Sequence, residues 1–178
     1  MRLIGKNYKA TIALFVYYFF AYYLPQSGRY GNIGGRIRFF LCKYIFLKCG
    51  NHVNIERKAF FGNGALLEIG DYSGIGVNAV LPNNSKIGCN VMMGPNCYVL
   101  ERNHSFERID IPMRKQGFTA SKPFIIEDDV WIGRDVLVLP GKTIRMGSII
   151  TAGCVLSKDF PSYSIVGGNP SRLIRSRL

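Results

Sequence analysis

An apolar residue stands at every sixth position between residues 69 and 99. The positions are Ile69, Ile75, Leu81, Ile87, Met93 and Val99, and a glycine directly follows four of them. This period matches neither the 3.6-residue repeat of a helix nor the two-residue alternation of an ordinary strand. After a break, the same period returns at Ile126, Ile132, Val138, Ile144, Ile150 and Leu156. So regular a repeat predicts a solenoid, in which each unit buries its apolar side against its neighbours.

Three such hexads close a triangular coil, and stacked coils of parallel strands bury a continuous aliphatic column. A second inward position follows each apolar position by four residues and is small or apolar at Ser73, Ala79, Ser85, Val91, Cys97, Val130, Val136, Ser148 and Cys154. Lys142 breaks this pattern and is expected to reach solvent at an edge. With a looser start near Val53, Ile55 and Phe61, the pattern predicts an all-β parallel β-helix of roughly five coils.

The repeat divides the chain into three regions. Residues 1–50 precede it, residues 51–165 form the β-helix, and residues 166–178 are a basic tail. The period stops between residues 100 and 125, which predicts a protruding loop. The first region and the tail are expected to cap the two ends of the column, as a solenoid requires.

The N-terminal region contains two apolar segments with basic residues. Residues 12–24 are too few for a membrane span of about 20 residues, and no small-x-small cleavage site follows them. Residues 36–50 are predicted to form a basic amphipathic helix that ends at Gly50. Its basic residues are Arg36, Arg38, Lys43 and Lys48. Both segments either cover one end of the column or lie on an anionic membrane surface.

The charge and the cysteines restrict the partners and the compartment. A net charge of +12 favours an anionic partner, such as nucleic acid, an acidic membrane or a phosphorylated ligand. No nucleic-acid recognition motif accompanies this charge, so nucleic acid is not the expected partner. The five cysteines are odd in number and include no CxxC pair. A disulfide framework or a zinc cluster is therefore not expected, and reduced thiols favour the cytoplasm.

The hexads and the segment 126–175 resemble the bacterial hexapeptide-repeat acyltransferases. Within that family they are most similar to the maltose, galactoside and xenobiotic acetyltransferase branch. The loop motifs NHSF (103–106) and QGF (116–118) resemble the O-acetyltransferases of surface-polysaccharide synthesis. The resemblance covers residues 50–178 and implies a left-handed β-helix with N-terminal helical segments. That hand comes from the resemblance alone, since parallel crossovers are otherwise nearly always right-handed.

The resemblance also implies an activity and its participants. It implies transfer of an acetyl group from acetyl-CoA to a sugar or glycan hydroxyl, by a homotrimer with each active site between two neighbours. His104 matches the catalytic histidine, which would be the general base. The residues that match the coenzyme side of the site are Trp131, Arg134, Ala152, Ser157, Lys158, Arg172 and Arg175.

Individual matches carry different meanings. Ala152, in the TAGC turn, matches a backbone contact to the pantetheine arm, and Arg172 and Arg175 match contacts to the adenosine 3′-phosphate. Trp131 matches a tryptophan beside the acceptor pocket. Arg134 departs from the pattern, because a small residue is usual there, and its long cation either adds a phosphate contact or narrows the thioester end.

Several residues keep two interpretations from sequence alone. Glu101, Glu107 and Asp110 could each orient the imidazole of His104 or simply solvate the loop. Glu101 and Asn78 are also candidates for contact with the acceptor, although Asn78 equally suits a tight corner. Cys97 and Cys154 are not expected to be nucleophiles because both stand at inward positions.

Other functions on this pattern are weighed against the acetyltransferase. A zinc carbonic anhydrase of this fold needs three histidine ligands, but the chain has two histidines, so no metal is expected. A non-enzymatic basic module that binds anionic partners and an acetyltransferase for an amino acid or xenobiotic remain alternatives. A purely structural β-helix is disfavoured, because His104, Trp131, Lys158 and the arginine tail occur together. The expected location is the cytoplasm, with peripheral association at the inner face of the plasma membrane if the N-terminal region binds lipid.

Overall fold

A β-helix built from two-residue strands forms most of the chain. The computed structural model describes residues 8–26, 28 and 31–178. The helices are α1 (Tyr8–Phe19) and α2 (Ile33–Ile45), with 3-10 turns at Ala21–Tyr23 and Met113–Lys115. The strands are β1 (Lys48–Cys49), β2 (Asn54–Ile55), β3 (Glu68–Ile69), β4 (Gly74–Ile75), β5 (Lys86–Ile87), β6 (Met92–Met93), β7 (Tyr98–Val99), β8 (Ile125–Ile126), β9 (Trp131–Ile132), β10 (Leu137–Val138), β11 (Thr143–Ile144), β12 (Ile149–Ile150), β13 (Val155–Leu156), β14 (Ser164–Gly167) and β15 (Arg172–Ser176).

The strands stack into three parallel faces. The first face is β1-β3-β5-β8-β11. The second face contains β2, β4, β6, β9, β12 and β14, where the N–H of Gly74 in β4 donates to the carbonyl of Val91 beside β6. The third face contains β7, β10 and β13 and is extended by parallel bridges from Phe60 to Val80 and from Val80 to Tyr98. The predicted parallel β-helix is therefore confirmed.

The register shows where the repeat is interrupted. Glu68 pairs with Lys86, 18 positions later, whereas Lys86 pairs with Ile125 across the protruding loop. Lys48 pairs with Glu68, 20 positions later, because the first coil contains an irregular segment before β3. The column has about six coils rather than the five predicted, since β14 adds a further partial coil above β12.

The predicted inward positions form the core. All nine small or apolar second positions are buried, as are the repeat residues from Ile69 to Leu156 apart from Met93, which is half-buried. The serines among them satisfy their hydroxyls on the backbone: Ser73 Oγ, for example, donates to the Gly88 carbonyl at 2.6 Å. Lys142 is half-buried at an edge of the column. The six-residue period thus located the core of the β-helix correctly.

The second helix differs from the prediction in its bounds and in its charged face. α2 begins at Ile33 and ends at Ile45, so Lys48 and Cys49 belong to the first strand and Gly50 does not end the helix. Gly50 instead lies where a Cβ would collide with the backbone of Asp71 in the next coil. Arg38, predicted to be on a basic outer face, is completely buried. Its guanidinium donates to backbone carbonyls of the first coil and of the segment after α1, which is why it points inward.

Side chains of the two helices cover the open end of the column. In the first coil, the N–H groups of Glu56 and Phe60 pair with the second coil, whereas the carbonyls of Ile55 and Ala59 face the helices. Tyr17 donates its hydroxyl to Ala59 O at 2.7 Å, and Tyr18 donates to Gly62 O at 2.7 Å. Arg38 Nε donates to Ile55 O at 2.6 Å. The helices therefore supply the donors that a further coil would otherwise provide.

The described helices are short. None of them is both long enough and apolar enough to cross a membrane.

Candidate active site

The loop between β7 and β8 carries His104 away from the column. The last ladder bond before it joins Leu100 N to Val138 O at 2.9 Å. The loop then folds back on itself, with His104 opposite Phe118 in an antiparallel bridge and Thr119 N donating to Asn103 O at 2.9 Å. The imidazole is exposed, and its ring centre lies 4.3 Å from that of Phe118. The hairpin therefore holds His104 with its ring supported on one side and accessible to a ligand.

The rest of the loop is braced by its own polar groups. Gln116 accepts a hydrogen bond from Arg108 N at 3.1 Å and donates to Ile111 O at 3.0 Å. Arg108 forms an ion pair with Asp110, and the hydrogen bond that its guanidinium donates lowers the pKa of the Asp110 carboxyl. Arg102 lies over the Phe118 ring, with its guanidinium carbon 4.4 Å from the ring centre. These contacts fix the hairpin that presents His104.

Three carboxylates near His104 were predicted as candidates to orient its imidazole. Within the described part of the chain, no hydrogen bond or ion pair joins His104 to Glu101, Glu107 or Asp110. Asp110 is engaged by Arg108, so its carboxylate is already occupied. Glu101 and Glu107 are both exposed.

A ladder of polar side chains runs along the corner between the second and third faces. Asn78 Nδ2 donates to Asn96 Oδ1 at 2.9 Å, and Asn96 Nδ2 donates to Asp135 Oδ1 at 2.7 Å. The three residues have φ of 56°, 60° and 57°, a left-handed conformation that Asn and Asp tolerate better than most residues. The amide of Asn96 holds the pKa of the Asp135 carboxyl below its usual value. Asn78 is therefore a corner residue, and its contact with an acceptor stays a prediction.

The same corner carries more of the predicted coenzyme residues. Arg134 precedes Asp135 and binds its carboxylate, with Nε 3.0 Å from Oδ2. Ala152 lies on the next coil, directly above Gly133, where a Cβ on the glycine would collide with the backbone of Ala152. Arg172 in β15 pairs with Gly167, which packs against Thr151 at the same corner. Asn78, Arg134, Ala152 and Arg172 thus lie along one edge of the column.

The remaining predicted residues lie elsewhere. Trp131 is half-exposed in β9 on the second face, and Arg175 is exposed in β15 opposite Ile165. Ser157 and Lys158 follow β13 and so lie at the far end of the third face from Ala152. Ser157 N donates to Ser171 Oγ at 3.0 Å, and the ammonium of Lys158 lies 5.4 Å from the ring centre of Phe160. The third face therefore separates the Ala152 corner from the edge that carries Ser157, Lys158 and the base of the His104 loop.

Two buried cysteines, Cys97 and Cys154, lie beneath the Ala152 corner. Cys97 is buried, and its Sγ lies 3.2 Å from Gly94 O and 3.3 Å from Gly133 O. Burial raises the pKa of the Cys97 thiol to about 11, and burial also raises the pKa of Cys154. A protonated, enclosed thiol is a poor nucleophile at neutral pH.

Two members of the site region were missed in the sequence. Asn96 and Asp135 complete the ladder that begins at Asn78, and Asn96 follows Asn78 by one coil of 18 residues. That spacing was a usable signal, whereas Asp135 is displaced by the inserted loop. Among the described residues, no group of three or more His, Cys, Asp or Glu side chains is placed to hold a metal ion. His52 occupies a turn of the first coil with φ of 54° and stacks on Tyr72, with ring centres 4.8 Å apart.

The curated proteins that are similar to this chain are acetyltransferases or putative acetyltransferases. No protein-family model matches the chain. It is 33% identical over 137 residues to the galactoside O-acetyltransferase of Escherichia coli K12, an alignment that covers 76% of the chain and 66% of the relative. Across the first curated relatives that it matches, the chain spans 42% to 66% of their length.

Solved structures extend the similarity to the whole fold. A hexapeptide-repeat-containing acetyltransferase from Vibrio cholerae, in complex with acetyl-coenzyme A, has a TM-score of 0.75 at 27% identity and covers 96% of the chain and 86% of its own. A galactoside acetyltransferase in complex with coenzyme A has a TM-score of 0.72 at 25% identity, covering 96% of the chain and 80% of its own. These matches confirm the predicted left-handed parallel β-helix.

Proposed function

The chain belongs to the hexapeptide-repeat acyltransferase family, and we propose that it transfers the acetyl group of acetyl-CoA to a hydroxyl of a sugar or glycan. The donor is inferred from the coenzyme in the similar Vibrio cholerae structure. A sugar acceptor is inferred from the galactoside O-acetyltransferase of Escherichia coli. Acceptors in capsule, O-antigen or exopolysaccharide synthesis fit the loop motifs that surround His104, and the proposed location is the cytoplasm.

The position of His104 is the observation that carries the mechanism. Its imidazole is exposed on a braced hairpin, held from one side by Phe118, and thus available to a bound hydroxyl. We infer that the imidazole accepts the proton of the acceptor hydroxyl as the oxygen attacks the thioester carbonyl. The C–S bond then breaks, and the imidazolium returns the proton to the departing thiolate of coenzyme A. The products are an acetyl ester and free coenzyme A, and no covalent enzyme intermediate is needed.

The proposed coenzyme residues explain a need for more than one chain. Arg134, Ala152 and Arg172 line one corner, whereas the loop of His104 leaves the column at the other side of the third face. Within the described chain, the contacts of His104 are confined to its own loop. We propose a homotrimer in which His104 of one chain serves a donor held at the Ala152 corner of its neighbour.

The charged residues suit the ends of the donor. Arg172 and Arg175 are exposed on β15, and guanidinium groups suit the oxygens of the adenosine 3′-phosphate. Lys158 and Ser157 are proposed to contact the donor from the adjoining edge. Arg134 binds Asp135, and this contact supports the proposal that its side chain narrows the thioester end rather than contacting a phosphate. Trp131, half-exposed on the second face, is proposed to border the acceptor.

Release of free thiol from acetyl-CoA across a panel of sugars tests the proposal. His104→Ala is expected to lower kcat by about 100-fold to 10,000-fold, the usual contribution of general base catalysis. His52→Ala is the matched control, because His52 is the other histidine of the chain and lies in the first coil. Full activity of His104→Ala would rule out the mechanism. Absence of turnover with every sugar, but turnover with amino acid or xenobiotic acceptors, would change the substrate class.

Subunit mixing tests the shared site. A His104→Ala chain and an Ala152→Asp chain are each expected to be inactive as homotrimers. Mixed trimers should regain part of the wild-type rate, because one of their clefts joins an intact histidine to an intact corner. Two inactive variants that never complement each other would place the whole site within a single chain.

A further inference from the structure

The outer side of α1 is apolar where a helix facing water is usually polar. The helix buries Ala13 and Tyr17 against the column. On the opposite side it exposes Tyr8, Ile12, Phe15 and Phe19, each between 59% and 72% exposed. These residues are spaced at i, i+4, i+7 and i+11, so they form a single stripe along the helix. α1 therefore has two apolar sides, of which the column uses only one.

The exposed stripe continues across α2. Phe40 and Tyr44 are exposed on α2, and Leu47 is exposed two residues beyond its end. A shallow groove of about 280 Å³ between the helices joins Ile12 to Phe40 and Tyr44, with Lys9 at its border. We name this combined surface the helical face: Tyr8, Ile12, Phe15, Phe19, Phe40, Tyr44 and Leu47. At roughly 100 Å² for each half-exposed side chain it presents about 700 Å², more than the largest apolar patch of most monomers.

The charges around the helical face have one sign. Residues 1–55 contain eight Lys and Arg and no Asp or Glu. Among the described residues, Lys9 borders the groove, and Arg36 and Lys43 are exposed on α2 next to Phe39, one helix position from Phe40. Arg38 is excluded from this set because it is buried. An apolar surface with a cationic border and no anionic group fits a partner that is apolar inside and anionic at its surface.

We propose that the helical face docks α1 and α2 on an anionic lipid leaflet, with their axes along the membrane surface. Aromatic and aliphatic side chains would enter the boundary between headgroups and acyl chains, and the cations would meet lipid phosphates. A second copy of the chain fits less well, since it would bring the same cations against each other without a compensating carboxylate. If the proposed sugar acetylation is correct, this position favours an acceptor that is attached to a lipid.

Vesicle co-sedimentation of the full chain tests this surface. The probes are vesicles of phosphatidylcholine alone and vesicles with about 30% phosphatidylglycerol, each at low salt and at about 0.5 M salt. The chain is expected to bind the anionic vesicles and to lose most of that binding in high salt. Phe15→Ser/Phe19→Ser should weaken binding by at least about tenfold. Leu66→Ser/Tyr72→Ser is the control, because both residues are exposed apolar positions outside the helices.

A second pair of variants separates charge from apolar contact. Arg36→Gln/Lys43→Gln should remove roughly a tenfold preference for phosphatidylglycerol. Lys86→Gln/Arg145→Gln changes the net charge equally on the column and should leave that preference within about twofold of the wild type. Circular dichroism melts show whether each variant is folded, and the polar substitutions at Arg36 and Lys43 retain the apolar helix contacts.

The outcomes distinguish the proposals. Thiol release with a soluble sugar should be unchanged in Phe15→Ser/Phe19→Ser, so vesicle binding and catalysis are read separately. No binding to anionic vesicles at low salt, or equal binding by helical-face and control variants, would overturn the lipid proposal. If the chain does not bind vesicles, but Phe15→Ser/Phe19→Ser changes its oligomeric state, then a second copy of the chain covers the helical face.

Discussion

Replacement of Arg38 by alanine is expected to destabilise the protein by about 3–5 kcal/mol, although the residue lies far from the proposed chemistry. The guanidinium is fully buried and makes its shortest hydrogen bond to Ile55 O at 2.6 Å. It also donates to Leu24 O at 3.1 Å and Pro25 O at 3.1 Å. One side chain thus ties the first coil to the connection between the two helices.

The magnitude follows from what alanine leaves behind. Ile55 O loses a charge-assisted bond worth about 1.5–3 kcal/mol and lies at the covered end of the column. Ala21 O keeps a bond from Leu24 N at 3.3 Å, so its loss is smaller. Glu56, whose carboxylate is 3.9 Å from the guanidinium, loses a nearby cation. Alanine has the higher helix propensity, so propensity acts in the opposite direction.

Urea unfolding at fixed protein concentration, followed by circular dichroism, measures the effect. Arg36→Ala is the matched control, because Arg36 is exposed on the same helix, and its free energy of unfolding should change by less than about 0.5 kcal/mol. Arg38→Lys should be intermediate, since one ammonium does not reach all the carbonyls. If Arg38→Ala unfolds within about 1 kcal/mol of Arg36→Ala, the guanidinium is not the cap inferred from the structure.

Two further predictions concern the corner of the column. Burial raises the pKa of the Cys97 thiol to about 11, so iodoacetamide at pH 8 should label Cys97 in the folded protein at least about 100-fold more slowly than a free thiol. Cys97→Ala should still transfer acetyl groups. Rapid labelling of Cys97, or loss of activity in a folded Cys97→Ala variant, would contradict an unreactive thiol. Gly76→Ala should lower the free energy of unfolding by more than about 2 kcal/mol, because the new Cβ would collide with the backbone oxygen of Gly94. Gly153→Ala should lower it by only about 1 kcal/mol, because Gly153 has φ of 71° but open space around its Cβ. Equal melting temperatures for the two variants would refute the steric argument.

The six-residue period predicted the column because that period is imposed by burial. Each inward residue packs on the residue one coil away, so a polar residue there would cost stability and the pattern is visible in sequence. Ser73 and Ser85 are informative exceptions, since they are buried and satisfied by backbone carbonyls. The pattern could not show β14 as a further rung, because Val166 pairs with Ile150 only 16 positions earlier and therefore falls out of the six-residue phase.

The end of α2 and the burial of Arg38 could not be predicted from the sequence for a different reason. Residues 46–50 continue the basic and apolar composition of the helix, yet the chain leaves the helix at Ile45 and enters the first strand. What decides this is the backbone of the second coil, which offers Lys48 and Gly50 carbonyl partners at Leu67 and Ile69. Likewise, Arg38 turns inward only because the end of a parallel column exposes carbonyls without donors. Neither partner is near in sequence.

The resemblance identified the corner that carries Ala152 and the loop that carries His104, and it implied a site between two chains, but the motifs do not show which edge of the column each of them occupies. A column with flat faces places residues that are 48 positions apart, such as His104 and Ala152, on different edges, and no motif reports that angle.

The same rigidity links the proposed site to the helical face. The third face passes from Phe60 to Val80 to Tyr98, which is two strand spacings or about 10 Å along the column. The His104 loop leaves just after Tyr98, so in a chain docked through α1 and α2 the start of this loop would lie within about 10 Å of the coil that these helices cover. That distance is short enough for the glycan of a lipid-linked acceptor to reach, whereas an acceptor free in solution would gain nothing from it. Acetylation of a soluble sugar should therefore be indifferent to anionic vesicles, and acetylation of a lipid-linked one should depend on Phe15 and Phe19.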